Sequence, residues 1–185
     1  MNNIKLPFSV VKILSESDAI DLVNKEPKKW NVVSIWSGGG GKHGNTRPEH
    51  RAAKTLCQHR FHDITCTEWE AQAGGWILCS KWHILTILNY AKTKYDEPLL
   101  VHCHAGVSRS SAITFLILLD YFKDKSENPI DDTLTYLNQI KHWSMIIPNK
   151  HILSLGMHIL AKDAGQEMEW NRILYNHNIF AKYYN

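Results

Sequence analysis

No apolar run in the sequence is long enough to cross a bilayer. The most aliphatic stretch, Leu116 to Leu119, stops at Asp120, whereas a span needs roughly 18 or more apolar residues. The four cysteines, Cys57, Cys66, Cys79 and Cys103, contain no CxxC pair, which argues against a disulfide scaffold and for free thiols in a reducing compartment. Blocks of five or six like charges are missing too, so the chain has no nucleic-acid footprint. Met1 to Leu14 scatters Lys5 and Lys12 among apolar residues, without the apolar core and small-residue cleavage site of a secretory signal. Internal repeats and low-complexity segments are likewise lacking. Together these absences lead us to expect a cytoplasmic protein whose partner is neither nucleic acid nor membrane.

What is present is ordinary globular material. The 185 residues are 44% hydrophobic and 21% charged, with a net charge of +3, enough for one well-buried core and too few for two enzyme-sized domains. We read a single domain over 1–185, with its core at about 5–160 and a C-terminal helical extension at 165–185. The eleven histidines would add positive charge as pH falls toward 6.

Hydrophobic patterning alternates between strand-like and helix-like segments. Lys5–Leu14 and Trp30–Trp36 read as strands, the latter ending at Gly38, Gly39, Gly40 and Gly41. Ser15 or Ser17 caps a short helix carrying Ala19, Ile20, Leu22 and Val23. The glycine cluster is not a nucleotide-binding P-loop, because Lys42 is followed by His43 where Ser or Thr is required. Arg47–Thr55 reads as a short helix after Pro48, and Arg60–Ile64 as the end of a strand. Helices follow at Trp76–Lys94, Ala112–Phe122, Asp131–Trp143, Asn149–Ala161 and Gln166–Tyr184, with a short apolar strand at Pro98–His102. The predicted fold is α/β, with a central, mostly parallel, twisted sheet of about four to five strands flanked by helices.

Between the Pro98–His102 strand and the following helix lies His102-Cys103-His104-Ala105-Gly106-Val107-Ser108-Arg109-Ser110. At average residue usage this combination arises by chance in on the order of one chain in 100,000. Its placement suits an anion site, because the first N–H groups of a helix lack intrahelical partners. A loop over His104, Ala105, Gly106, Val107, Ser108 and Arg109 can turn its N–H groups around a tetrahedral dianion, with Gly106 supplying the backbone freedom. Arg109 can offer parallel donors to phosphate oxygens. Cys103 would sit beneath them, and cysteines so placed have pKa values of roughly 3.5 to 7.5, against about 8.5 when free. A thiolate can attack phosphorus and split hydrolysis into two easier steps. His102 would orient the Cys103 backbone, and the Ser110 hydroxyl would donate to the sulfur as it leaves.

This string resembles the signature of the cysteine-dependent protein tyrosine phosphatase superfamily: His-Cys, five residues, then Arg followed by Ser or Thr. The surroundings look most like the compact dual-specificity type and its bacterial relatives, over about Lys5 to Leu160. Ile147-Pro148-Asn149 is similar to the Pro-Asn that opens a late helix in many relatives. The resemblance implies a phosphomonoesterase acting on phosphotyrosine, or on phosphoserine and phosphothreonine as well, in a phosphorylated protein partner. It implies neither a metal nor an organic cofactor. It also implies a general acid, a role falling to Asp63 in Arg60-Phe61-His62-Asp63-Ile64. Asp63 precedes Cys103 by 40 positions, more than is usual in compact members, so Thr65–Gly75 reads as an enlarged acid loop in which Glu68 and Glu70 compete for the role.

Other signals have plainer readings. Cys57, His59, His62 and Cys66 are zinc-ligand types, but on a strand His59 and His62 point to opposite faces. Trp69, Trp76, Trp82 and Trp143 read as core or rim, with those near the acid loop as candidates to flank a substrate ring. The signature loop has no Lys from His104 to Ser108, which weakens an inositol phosphate reading. A catalytically weak phosphate-binding module is the alternative of a different class.

Overall fold

The computed structural model describes residues 6–38, 47–142, 145–162 and 164–176. Four strands, β1 (Val10–Leu14), β2 (Asn31–Trp36), β3 (Thr55–Arg60) and β4 (Pro98–His102), form one parallel sheet in the order β1-β4-β2-β3. Seven helices accompany it: α1 (Glu16–Lys25), α2 (Glu68–Ala73), α3 (Lys81–Lys92), α4 (Arg109–Phe122), α5 (Pro129–Ile140), α6 (Lys150–Leu160) and α7 (Ala164–Asn176).

The alternation of side chains along a strand divides the core in two. Val33 and Ile35 of β2 and Leu99 and Val101 of β4 face the larger cluster, shared with α3, α4 and α6. Val32 and Leu100 face the smaller one, with Ala19 and Val23 of α1 and with Trp30. All residues of α4 are buried, which explains why its sequence is apolar all round. Helices on both faces leave the two central strands, β4 and β2, little exposed surface, as a parallel sheet requires. The α/β fold expected from sequence is the fold observed, with four strands.

Several element boundaries differ from the sequence reading. The first strand starts at Val10 rather than Lys5, and Lys5 lies outside the described residues. The expected helix at Arg47–Thr55 does not form. Only Ala53 N–H turns back on His50 C=O, while Lys28 N–H takes Ala52 C=O and Lys54 N–H takes Trp30 C=O, so tertiary partners capture the backbone groups that a helix would use. The strand placed at Arg60–Ile64 is instead β3, which ends at Arg60 in register with Trp36. The helix expected from Trp76 begins at Lys81, because His62 and Ile77 exchange bonds: His62 N–H donates to Ile77 C=O and Ile77 N–H to His62 Nδ1. Thr65–Gly75 contains α2, capped by a reciprocal pair between Thr67 and Glu70. The segment read as an extension buries Trp170 and Leu174 in the main core. Gly39 to His43 and Trp143 lie outside the described residues, as does the part of the expected last helix beyond Asn176.

Candidate active site

All four strands end on the same side of the sheet, and each end contributes to one place. After β4 comes Cys103, after β1 Ser15 and Glu16, after β2 Ser37, and after β3 Phe61 and Asp63. The carboxyl ends of parallel strands are where open α/β sheets bind ligands.

The signature loop is held from outside by its carbonyl groups. His104 C=O accepts from Glu16 N–H at 3.1 Å, and Gly106 C=O from Lys141 Nζ at 2.6 Å. Val107 C=O accepts from Ile147 N–H at 3.1 Å, and Ser108 C=O from Asn149 N–H at 3.4 Å. The described peptides are all trans, so each carbonyl drawn outward turns the next N–H the opposite way. Ala105, Val107, Ser108 and Arg109 therefore present their N–H groups to the inside of the loop, at the N-terminus of α4, where the helix dipole also favours an anion. Gly106 has φ +68°, and a Cβ there would stand 2.3 Å from the Leu14 carbonyl carbon. Both the angle and the close approach require glycine.

Cys103 Sγ lies 3.2 Å from Ser110 Oγ, as the second step of the expected chemistry needs. The residue is 1% exposed. The sulfur is seated at the junction of strand and loop, beneath the loop as expected and closed in by its neighbours. Arg109 turns inward and is 3% exposed. Its Nη1 donates to Ser37 Oγ at 2.5 Å and to Phe61 C=O at 2.8 Å. Its Nε is buried without a hydrogen-bond partner. A buried donor on a cation without an acceptor costs free energy, and Asp63 Oδ2 stands 3.8 Å from this one.

His102 is fully buried, and its Nε2 lies 2.7 Å from His50 Nε2. Burial, then the neighbouring His50, pushes His102 down to about 3 against an opposing bond to the Cys103 main chain. Burial thus keeps the ring on the neutral side of its titration at physiological pH.

Asp63 reaches the loop. Its Oδ1 accepts from Ser108 Oγ at 2.7 Å and from Asn149 Nδ2 at 2.8 Å, and its Oδ2 is 3.8 Å from Arg109 Nε. Asn149 Nδ2 also donates to Ile64 C=O, while its Oδ1 caps α6 through Ile152 N–H. One buried asparagine thus ties the Asp63 segment to the signature loop and to a helix. Glu70 is committed to capping α2, and the Thr67 N–H and hydroxyl hold its carboxyl below the usual range. Glu68 is exposed in the first turn of that helix.

The zinc-type residues are not drawn into one cluster. Cys57 Sγ and His59 Nε2 meet at 3.4 Å, but His62 Nδ1 is taken by Ile77 N–H. Burial pushes the Cys57 thiol up to about 11 and His59 down to about 4. Among the described residues no group of three or more His, Cys, Asp or Glu is arranged to hold a metal. Sequence reasoning missed His50, Ser37 and Lys141, which reach the site from distant segments without any local motif.

Residues 45–154, more than half the chain, match the protein-tyrosine phosphatase family. The chain belongs to that family. The matched span includes Asp63 and the whole signature loop of this phosphatase-family chain. No curated protein matches it. Among solved structures, DUSP15 is 16% identical over 90% of this chain and 92% of its own, with a TM-score of 0.50. Human DUSP28 is 12% identical over 89% and 92%, with a TM-score of 0.48. The Yvh1 phosphatase domain from Chaetomium thermophilum is 15% identical over 92% and 94%, with a TM-score of 0.47. At 16% identity the likeness to DUSP15 speaks for the fold alone.

Proposed function

We propose that the protein is a cysteine-dependent phosphomonoesterase of the compact dual-specificity type. It hydrolyses phosphotyrosine in proteins, with phosphoserine and phosphothreonine as further substrates. The observation that carries this reading is the loop itself: carbonyls tied to groups around it, a buried Arg109 whose Nε has no hydrogen-bond partner and stands 3.8 Å from Asp63 Oδ2, and Cys103 beside Ser110.

In the first step Cys103 Sγ, as thiolate, attacks phosphorus while the bond from phosphorus to the ester oxygen breaks. Asp63 gives its proton to the departing oxygen. Because Oδ1 is occupied by Ser108 and Asn149, Oδ2 is the oxygen that faces the cup. In the second step water attacks the cysteinyl-phosphate, Asp63 takes the proton, and the bond from sulfur to phosphorus breaks with Ser110 Oγ donating to the sulfur. General acid catalysis of this kind contributes typically 100-fold to 10,000-fold.

The rim supports an aromatic monoester over an inositol polyphosphate. Ile147, whose N–H holds Val107 C=O, is 45% exposed beside the loop, while the ammonium of Lys141 is occupied by a loop carbonyl. Four free cysteines suit a reducing, cytoplasmic setting.

Hydrolysis of p-nitrophenyl phosphate by the purified chain, undiminished by a chelator and abolished in Cys103→Ser, tests the reading. Turnover that survives Cys103→Ser would overturn it. The doubly bonded Asp63 Oδ1 favours one second reading, a phosphate-binding module without turnover. Oxyanion binding without hydrolysis would select it.

A further inference from the structure

Lys141 follows α5, far in sequence from the signature loop, and its side chain is partly buried against β1 and that loop. Its Nζ donates to Gly106 C=O at 2.6 Å and lies 3.5 Å from Ile13 C=O. Burial pulls its pKa down, and the charges of Cys103 and of Asp18 in α1 oppose that pull. The groups around it are therefore two carbonyls, a thiol and a carboxylate, with Glu16 of the same first turn of α1 donating its N–H to His104 C=O. Among the described residues the lysine is the one side chain that donates to these loop carbonyls. The other donors are main-chain N–H groups of Glu16, Ile147 and Asn149, with Ala112 N–H of α4 sharing Ser108 C=O.

The carbonyl it holds belongs to the residue the loop can least restrain by itself. Gly106 has no side chain and sits at φ +68°, so the peptide joining it to Val107 is free to rotate unless something fixes it. With Gly106 C=O fixed outward, the Val107 N–H is turned inward by the planarity of that peptide. Its release would allow the peptide to flip and point a carbonyl dipole at the anion.

We propose that Lys141 is a positioning residue for the oxyanion cup, pinning the Gly106 to Val107 peptide so that its N–H meets the bound phosphoryl group. This rests on the anion-binding reading of the loop above. It predicts that Lys141 governs oxyanion affinity without touching the anion.

The test uses the full chain carrying Cys103→Ser, with tungstate as a tetrahedral dianion that binds without covalent chemistry, measured by calorimetry. Adding Lys141→Met should weaken tungstate binding about tenfold, the scale of one lost charge-assisted hydrogen bond. Lys141→Arg, which keeps charge and donors, should restore affinity to within about threefold. Thermal melts confirm that each protein is folded. Should Lys141→Met fail to fold, Lys141→Gln is read in its place, with the same direction expected. Unchanged tungstate affinity in a folded Met or Gln variant would overturn the proposal, as would a loss that a folded Arg variant does not repair. Failure of the Cys103→Ser protein to bind tungstate with Lys141 intact would overturn the cup itself, and the proposal with it.

Discussion

His50 Nε2 and His102 Nε2 stand 2.7 Å apart inside the protein, 52 positions apart in the chain. Both nitrogens cannot carry a proton in a neutral pair, so one ring donates and the other accepts, coupling the tautomer of His102, the residue that precedes Cys103, to that of His50. His50→Phe keeps an aromatic ring but leaves His102 Nε2 buried and unpaired. It should cost about 1 to 3 kcal/mol of stability in urea unfolding and lower kcat for p-nitrophenyl phosphate. His50→Gln should recover part of both. Unchanged stability in His50→Phe would show that the pair orders nothing.

Stability should fall on acidification below neutrality. His102 is pushed down to about 3 and His59 to about 4, with burial as the main cause in both. In the unfolded chain each titrates near 6.5. Above that value neither state binds the proton and the histidines contribute nothing to the pH dependence. Between about 6.5 and the folded values the unfolded chain takes up protons that the folded protein refuses, so stability drops as pH falls. The limiting slope is about 1.4 kcal/mol per pH unit for each such histidine. Urea midpoints at pH 7.0 and 5.5 check this, and His59→Gln should flatten the slope. Equal midpoints at the two values would contradict it.

Gly106→Ala should be among the most damaging single changes in the loop. The new Cβ would meet the Leu14 carbonyl carbon at 2.3 Å and the Ser15 nitrogen at 2.5 Å, at a φ of +68°. Strain of this kind costs on the order of 1 to 3 kcal/mol before the clash is counted. We expect kcat/KM for p-nitrophenyl phosphate to fall about 100-fold or more, since the peptides that bind the anion must shift. Activity within a few-fold of the parent would mean that the loop tolerates another backbone path.

Contiguous features were legible in the sequence. The strand, loop and buried helix from Pro98 to Phe122 occupy one unbroken stretch, and there apolar patterning, glycine and helix start all agree. Asp63 and Asn149 are singled out by the family resemblance, although only the structure shows that they touch. Long-range capture was not legible. The segment after Pro48 looks helical locally, yet its backbone bonds go to residues near 28 and 30. The β3 strand, Thr55–Arg60, carries Gln58, His59 and Arg60, which are no strand signature; pairing with β2 makes it one. The short α2 had a readable signal in Thr67 and Glu70, a capping box three residues apart. Lys141 and His50 had none, because a carbonyl or ring partner many positions away leaves no local pattern.

Asn149→Ala and Ser108→Ala should separate the bonds that hold Asp63. Ser108→Ala removes one donor to Asp63 Oδ1. Asn149→Ala removes the other and also the cap of α6, so it should cost about 1 to 2 kcal/mol more in stability. Asp63→Asn should slow hydrolysis most for alkyl esters, whose oxygen leaves poorly, and least for p-nitrophenyl phosphate. An equal loss across leaving groups would remove Asp63 from the acid role.

Acid quench of the enzyme during turnover, followed by mass mapping, reports most directly on whether the Cys103 sulfur is the nucleophile that takes up the phosphoryl group. Ser110→Ala, which withdraws the hydroxyl 3.2 Å from the sulfur, should slow the second step and let the intermediate build up. The account predicts one added phosphoryl group on the peptide bearing Cys103. A phosphoryl group on any other residue, or turnover that persists when Cys103 is replaced by serine, would contradict it.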